Sequence, residues 1–132
     1  MIVIDTHVWI WWAHGHPHLL PSMRQRLVQN EVNGVGVSVI SCCKIAWLVA
    51  GGKFKINHPV AEWFALALDY AGVQLIDLSP EISIEANNLP GTFHKDPADR
   101  IIVATARVMG YELLTADRQI LDYQHVMHAR EG

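Results

Sequence analysis

The chain has 132 residues, 51% of them hydrophobic and 17% charged, with a formal net charge of −3. That is enough for one domain around a real core. It is too apolar for a disordered segment and too acidic to hold nucleic acid by bulk electrostatics.

In chain order, Ile2-Val3-Ile4 is a short apolar run rich in β-branched residues, read as a buried strand. Asp5-Thr6-His7 turns the chain, with Thr6 as a candidate cap for the helix that follows. Val8 to Ala13 is apolar on nearly all sides and carries Trp9, Trp11 and Trp12; Gly15 and Pro17 end it. Leu19 to Asn30 is amphipathic, with Leu20, Met23, Leu27 and Val28 on one stripe. After the Asn33-Gly34 turn, Val35 to Ile40 is the second strand. Ser41 is expected to cap a helix running to about Val49, closed by Gly51-Gly52. His58 to Tyr70 is the third amphipathic helix and Val73 to Ile76 the third strand. Ser79-Pro80-Glu81 opens a helix as cap, first position and acidic first turn, and Pro90-Gly91 closes it. Asp96-Pro97 opens the longest clear helix in the same way, and Gly110 stops it. Glu112 to Thr115 is the fourth strand, Asp117 to Leu121 a turn of helix, and His125 to Met127 a last edge strand. Strands alternating with helices predict a three-layer α/β/α sandwich around a mostly parallel sheet, one domain over residues 1–132.

No apolar run reaches bilayer length, and the N-terminus lacks the features of a secretory signal. The two cysteines, Cys42 and Cys43, are neighbours that cannot easily reach unstrained disulfide geometry. A reducing, cytoplasmic setting without a membrane is expected.

The acids carry the chemistry. Asp5 and Asp117 leave the ends of apolar strands, and Asp96 and Asp99 share one first helical turn. In open α/β sheets, ligand sites form beyond the carboxyl ends of the strands. Each Asp alone is ordinarily a cap or turn residue. Together they form a cluster that repels itself unless a cation holds it. Hard oxygen ligands without partnering cysteines suit Mg²⁺, or Mn²⁺ in its place. Such an ion polarises a phosphodiester and lowers the pKa of a bound water.

Three blocks then resemble a known family: Ile2-Val3-Ile4-Asp5-Thr6-His7, His94 through Ala106 with its Asp96-Pro97-Ala98-Asp99-Arg100 core, and Leu113-Leu114-Thr115-Ala116-Asp117. They look like a PIN domain, more closely a VapC toxin of a type II toxin–antitoxin pair, over nearly the whole chain. The resemblance implies an α/β/α sandwich, a Mg²⁺-dependent endoribonuclease acting on RNA, a homodimer, and a cognate antitoxin. It also implies Asp5, Asp99 and Asp117 as metal-binding acids, with Asp96 as an additional catalytic acid of the VapC subgroup.

One position departs. Where the resemblance expects an acid in a pattern like Ser-x-x-Glu-Ile-Ala, this chain has Ser41-Cys42-Cys43-Lys44-Ile45-Ala46. Lys44 swings the local charge by two units. An opposite charge at about 4 Å gains roughly 4 kcal/mol at an effective dielectric near 20, before desolvation. Lys44 is therefore expected to stay protonated and compete with the ion for Asp5 and Asp99. It keeps a second reading open, a catalytically impaired PIN module that binds RNA or antitoxin without cleaving.

Lys53, Lys55, Lys95 and Arg100 are candidates for a basic rim along RNA, Lys95 and Arg100 the nearest to the acids in sequence. His94 is a candidate phosphate contact, and His7 a residue that orients Asp5 or touches substrate. His14, His16 and His18, around Pro17, read as a polar loop. Trp9, Trp11 and Trp12 exceed what one helix face buries, so some are expected at a subunit or antitoxin contact.

Overall fold

The computed structural model describes residues 1–129. Its elements are β1 (Ile2–Ile4), α1 (Thr6–His14), α2 (Pro21–Gln29), β2 (Val35–Ser38), α3 (Val39–Ala50), α4 (Val60–Leu68), β3 (Val73–Ile76), α5 (Pro80–Ala86), α6 (Pro97–Met109), β4 (Glu112–Leu114) and α7 (Arg118–Leu121). The strands make one sheet in the order β3-β2-β1-β4, with every neighbouring pair parallel. The chain winds outward from β1 to β3, then returns to lay β4 on the other side of β1. A crevice opens at the carboxyl ends of strands where the winding reverses in this way.

Helices cover both faces, as expected from the alternation. Successive strand residues point to opposite sides. Ile2, Ile4, Val35, Val37 and Leu114 therefore pack with Trp9, Trp12, Leu27, Ile45 and Trp63 of α1 to α4. Val3 and Leu113 pack against Ile82, Ile102, Val103 and Ile120 of α5 to α7. Burial on both faces is why β1 reads as an unbroken apolar run.

Several boundaries differ from the sequence expectation. Asp5, not Thr6, caps α1: its side chain accepts from Val8 N. Ser38, not Ser41, caps α3, and β2 stops there. The β-branched pair Val39-Ile40 looks like strand, but the Ser38 cap turns it into the first helical turn. Ser41 is buried inside the helix, where its hydroxyl meets Thr6 Oγ1 at 2.9 Å. α4 starts only after Pro59, later than His58. The expected edge strand over His125–Met127 is reduced to one parallel bridge between Leu113 and His128. With β4 three residues long, there is little ladder for it to extend. Of the three tryptophans of α1, Trp9 and Trp12 are core residues and Trp11 is half-buried. The strongly exposed tryptophan is Trp47 of α3 instead, at 62%.

Gly72, between α4 and β3, has φ +82°, and a Cβ there would lie 2.7 Å from the Glu31 carbonyl oxygen. Gly52 has a similar φ of +72° but open space around it. Gly52→Ala should cost about 1 kcal/mol, the strain of the left-handed conformation alone. Gly72→Ala adds a backbone clash and should cost about 2–3 kcal/mol in total. Urea unfolding of the two variants gives the comparison; equal midpoints would disprove the close approach of the two backbones.

Candidate active site

Four helix N-termini meet the carboxyl edge of the sheet, and each begins on a small oxygen-bearing cap: Asp5 for α1, Ser38 for α3, Asp96 for α6 and Asp117 for α7. The acids singled out in the sequence are thus caps. Capping aims one carboxylate oxygen at a backbone N–H and fixes the side chain. Asp5 Oδ1 accepts from Val8 N at 2.9 Å, Asp96 Oδ1 from Asp99 N at 3.1 Å, and Asp117 Oδ1 from Gln119 N at 2.9 Å.

Asp5 is 5% exposed and Asp99 9%. Burial pushes the Asp5 carboxyl above the usual carboxylate range. The Thr115 hydroxyl, the Val8 amide and the nearby His7 partly counter this, and the charge of Asp99 adds to it. Asp99 is raised too, by burial first, then by Asp96 and Asp117, with Lys44 and His94 acting against them. The four acids therefore feel one another, with Asp99 in their midst. Asp96 is half-buried and Asp117 exposed.

Some partners were not singled out in the sequence. Thr115 Oγ1 donates to Asp5 Oδ2 and accepts from Asp117 N at 3.0 Å, so one hydroxyl joins the acids that end β1 and β4. The signal was present, a hydroxyl residue at the strand end two positions before Asp117. His94, read as a phosphate contact, places Nε2 3.0 Å from Asp99 Oδ2, although the angle does not make a hydrogen bond.

Lys44 sits half-buried on α3 and bears on Asp99, not on Asp5. It closes no ion pair within 4.0 Å among the described residues. The basic rim is smaller than expected. Lys53 and Lys55 follow the far end of α3, a helix of 12 residues, so they lie about 18 Å along its axis from the capped end. Arg100 turns inward: Nε donates to the Ala86 carbonyl at 2.9 Å, and Nη1 reaches those of Phe93 and His94 at 3.2 Å each. Its guanidinium fastens the loop before α6 where a substrate contact was expected. Lys95 is exposed beside Asp96.

Among the described residues, no three of the His, Cys, Asp and Glu side chains converge closely enough to form a ready metal cage. The donor chemistry nonetheless fits a hard divalent cation. Asp99 accepts no hydrogen bond among the described residues, and the caps Asp96 and Asp117 each use one oxygen only. Carboxylate oxygens are left over, on groups whose mutual repulsion a cation relieves.

The PIN domain family model matches residues 2–126, and the chain belongs to that family. It is 30% identical over 124 residues to Ribonuclease VapC22 of Mycobacterium tuberculosis (strain ATCC 25618 / H37Rv), covering 94% of this chain and 92% of that protein. Its fold matches a chain in the crystal structure of VapBC2 from Rickettsia felis bound to a DNA fragment from their promoter. The TM-score is 0.73 at 18% identity over 98% of each chain. It also matches a chain of a toxin-antitoxin complex from Klebsiella pneumoniae, at TM-score 0.67 and 18% identity over 99% of each.

The raised Asp5 and Asp99 have a consequence for pH. A carboxyl whose folded pKa lies above its unfolded value, ordinarily 3.8, stabilises the fold below that value. The contribution is lost as pH rises through the folded pKa. Without divalent ions, Asp5→Asn should therefore melt a few degrees above the wild type at pH 7. The two melting curves should converge as pH falls toward 3.8. A constant gap between them from acid to neutral pH would show that the buried charge is not its source.

Proposed function

We propose that this chain is a metal-dependent endoribonuclease of the VapC type, the toxin of a toxin–antitoxin pair acting in the cytoplasm. The observation that carries the reading is the set of acids Asp5, Asp96, Asp99 and Asp117 near the edge where the sheet reverses its winding, three of them helix caps, with burial and neighbouring acids raising Asp5 and Asp99. The relationship to Ribonuclease VapC22 supports it.

In this reading Asp5, Asp99 and Asp117 hold Mg²⁺, or Mn²⁺ in its place, and Asp96 supports them. A bound divalent ion neutralises a phosphodiester and makes a coordinated water a better nucleophile. Thr115 keeps the Asp5 carboxylate oriented through its hydroxyl. Cap bonds fix Asp96 and Asp117. His94, against Asp99 Oδ2, limits how that carboxylate turns. Lys95, exposed beside Asp96, would meet the RNA backbone beyond the acids. Exposed Trp47, Leu66 and Tyr70 on and after α3 and α4 offer apolar surface to an antitoxin or a second copy of the chain.

Lys44 tempers the activity. Its positive charge favours ionised Asp99 without a metal and opposes a cation that needs the same carboxylate. This supports the second reading, a PIN module that binds RNA or antitoxin but cuts poorly.

Isothermal titration with Mg²⁺ or Mn²⁺ should show Lys44→Glu binding at least about tenfold more tightly than the wild type, about 1.4 kcal/mol. Equal affinities would remove Lys44 from the account. In the same buffers with structured RNA, Asp5→Ala should abolish cleavage and Lys44→Glu should raise it. Cleavage by Lys44→Glu alone would favour the impaired module. Cleavage that survives Asp5→Ala would overturn the assignment of the site.

A further inference from the structure

Helix α1 leaves the candidate active site with its rings divided between two sides. Trp9 and Trp12 enter the core. On another side His7 and Trp11, one turn apart, hold their ring centroids 6.1 Å from each other. The chain then turns at Gly15 and brings two more rings back onto Trp11. The centroid of His16 lies 6.4 Å from that of Trp11 and the centroid of His18 5.3 Å from it, with 4.6 Å between the two imidazoles.

The return is tied down by the backbone. His16 N donates to the Trp11 carbonyl at 2.8 Å and Leu19 N to the His16 carbonyl at 3.0 Å. His18 N donates to His16 Nδ1 at 3.1 Å. His14, by contrast, leaves this group: its Nε2 accepts from Trp63 Nε1 at 2.8 Å, which fixes it against α4. The result is a strip of four rings that starts two residues beyond Asp5. His7 and His18 are exposed, and Trp11 and His16 are half-buried.

We propose that this strip is a stacking platform for unpaired bases of the RNA strand whose phosphodiester lies at the carboxylates. The proposal rests on the ribonuclease reading above. Flat rings accept every base through its π-face, so such a platform grips single strands with little regard to sequence. The chain needs a grip of this kind. Its net charge is −3, the inner site is acidic, and Arg100 is engaged with backbone carbonyls. Stacking adds an attraction where this charge balance does not favour one. His7 links the two regions, because it is close enough to Asp5 to act on its charge.

Fluorescence anisotropy with Ca²⁺ in place of Mg²⁺ tests the platform, using a labelled adenine oligoribonucleotide and an abasic ribose-phosphate chain of equal length. The wild type should prefer the adenine strand about tenfold or more. Trp11→Ala should bring that preference close to one, whereas Trp11→Phe should keep most of it. His18→Ala, at an exposed position that cannot disturb the core, should reduce it about threefold. A wild type that does not distinguish the strands overturns the platform, and so does an unchanged preference in both Trp11→Ala and His18→Ala. Parallel cleavage assays in Mn²⁺ separate the two readings. Adenine preference in a protein that never cuts RNA, even as Lys44→Glu, supports the platform and overturns the ribonuclease. Cleavage without adenine preference does the reverse.

Discussion

A carboxylate at the end of the central strand is buried in this fold, and burial disfavours its charge. Three elements meet on it. Asp5 N donates to the Leu114 carbonyl at 3.3 Å, which binds the end of β1 to β4, and the Val8 amide fixes one carboxylate oxygen to α1. Thr115 takes the other oxygen and with the same hydroxyl accepts the Asp117 amide. The positions of Asp5 and Asp117 are therefore one arrangement. Moving either disturbs the joint between β1, β4 and the helices that leave them. A carboxylate that is costly to bury is here held through both of its oxygens at the edge of the sheet.

Around Asp99 the balance is electrostatic. Three acids act against its charge or share its repulsion, while Lys44 and His94 favour it. The Ser38 cap explains how Lys44 comes to be there. A helix starting at Val39 places Lys44 in its second turn, and helical side chains lean toward the N-terminus. A long ammonium chain there points back to the carboxyl edge of the sheet. The helix N-terminus carries partial positive charge and favours an acid at its end. Lys44 thus gains nothing from the dipole of its own helix, and the neighbouring carboxylate of Asp99 is what favours its position.

The apolar runs made the strands legible, because a parallel sheet covered on both faces needs unbroken β-branched stretches. The acids were legible because three of them cap helices, Asp5 and Asp117 after strands and Asp96 after a loop, and capping residues are short and polar at predictable places. What the sequence hid were choices between equivalent neighbours. Ser38 and Ser41 are both good caps, and only packing decides that Ser41 goes inside to meet Thr6. Arg100 read as a surface cation because nothing in its own segment shows the carbonyls of Ala86 and Phe93, which come to it through the tertiary fold. Thr115 looked like the last residue of a strand, while its work is to bond across 110 positions to Asp5.

Helix α1 shows why the tryptophan count exceeded the expectation for one helix face. Its nine residues serve three neighbours at once. The first turn holds Asp5 at the sheet edge through Val8 N. Trp9 and Trp12 fill the core, where Trp9 meets the Trp63 ring edge-on at 5.2 Å. Trp11, half-buried, packs against the edge of that core and also meets His7, His16 and His18. Here a large ring is kept at the surface, and the following loop is bonded back onto it. The ring therefore serves the core with one part of its surface and the histidines with another, on a helix that begins at the carboxylates.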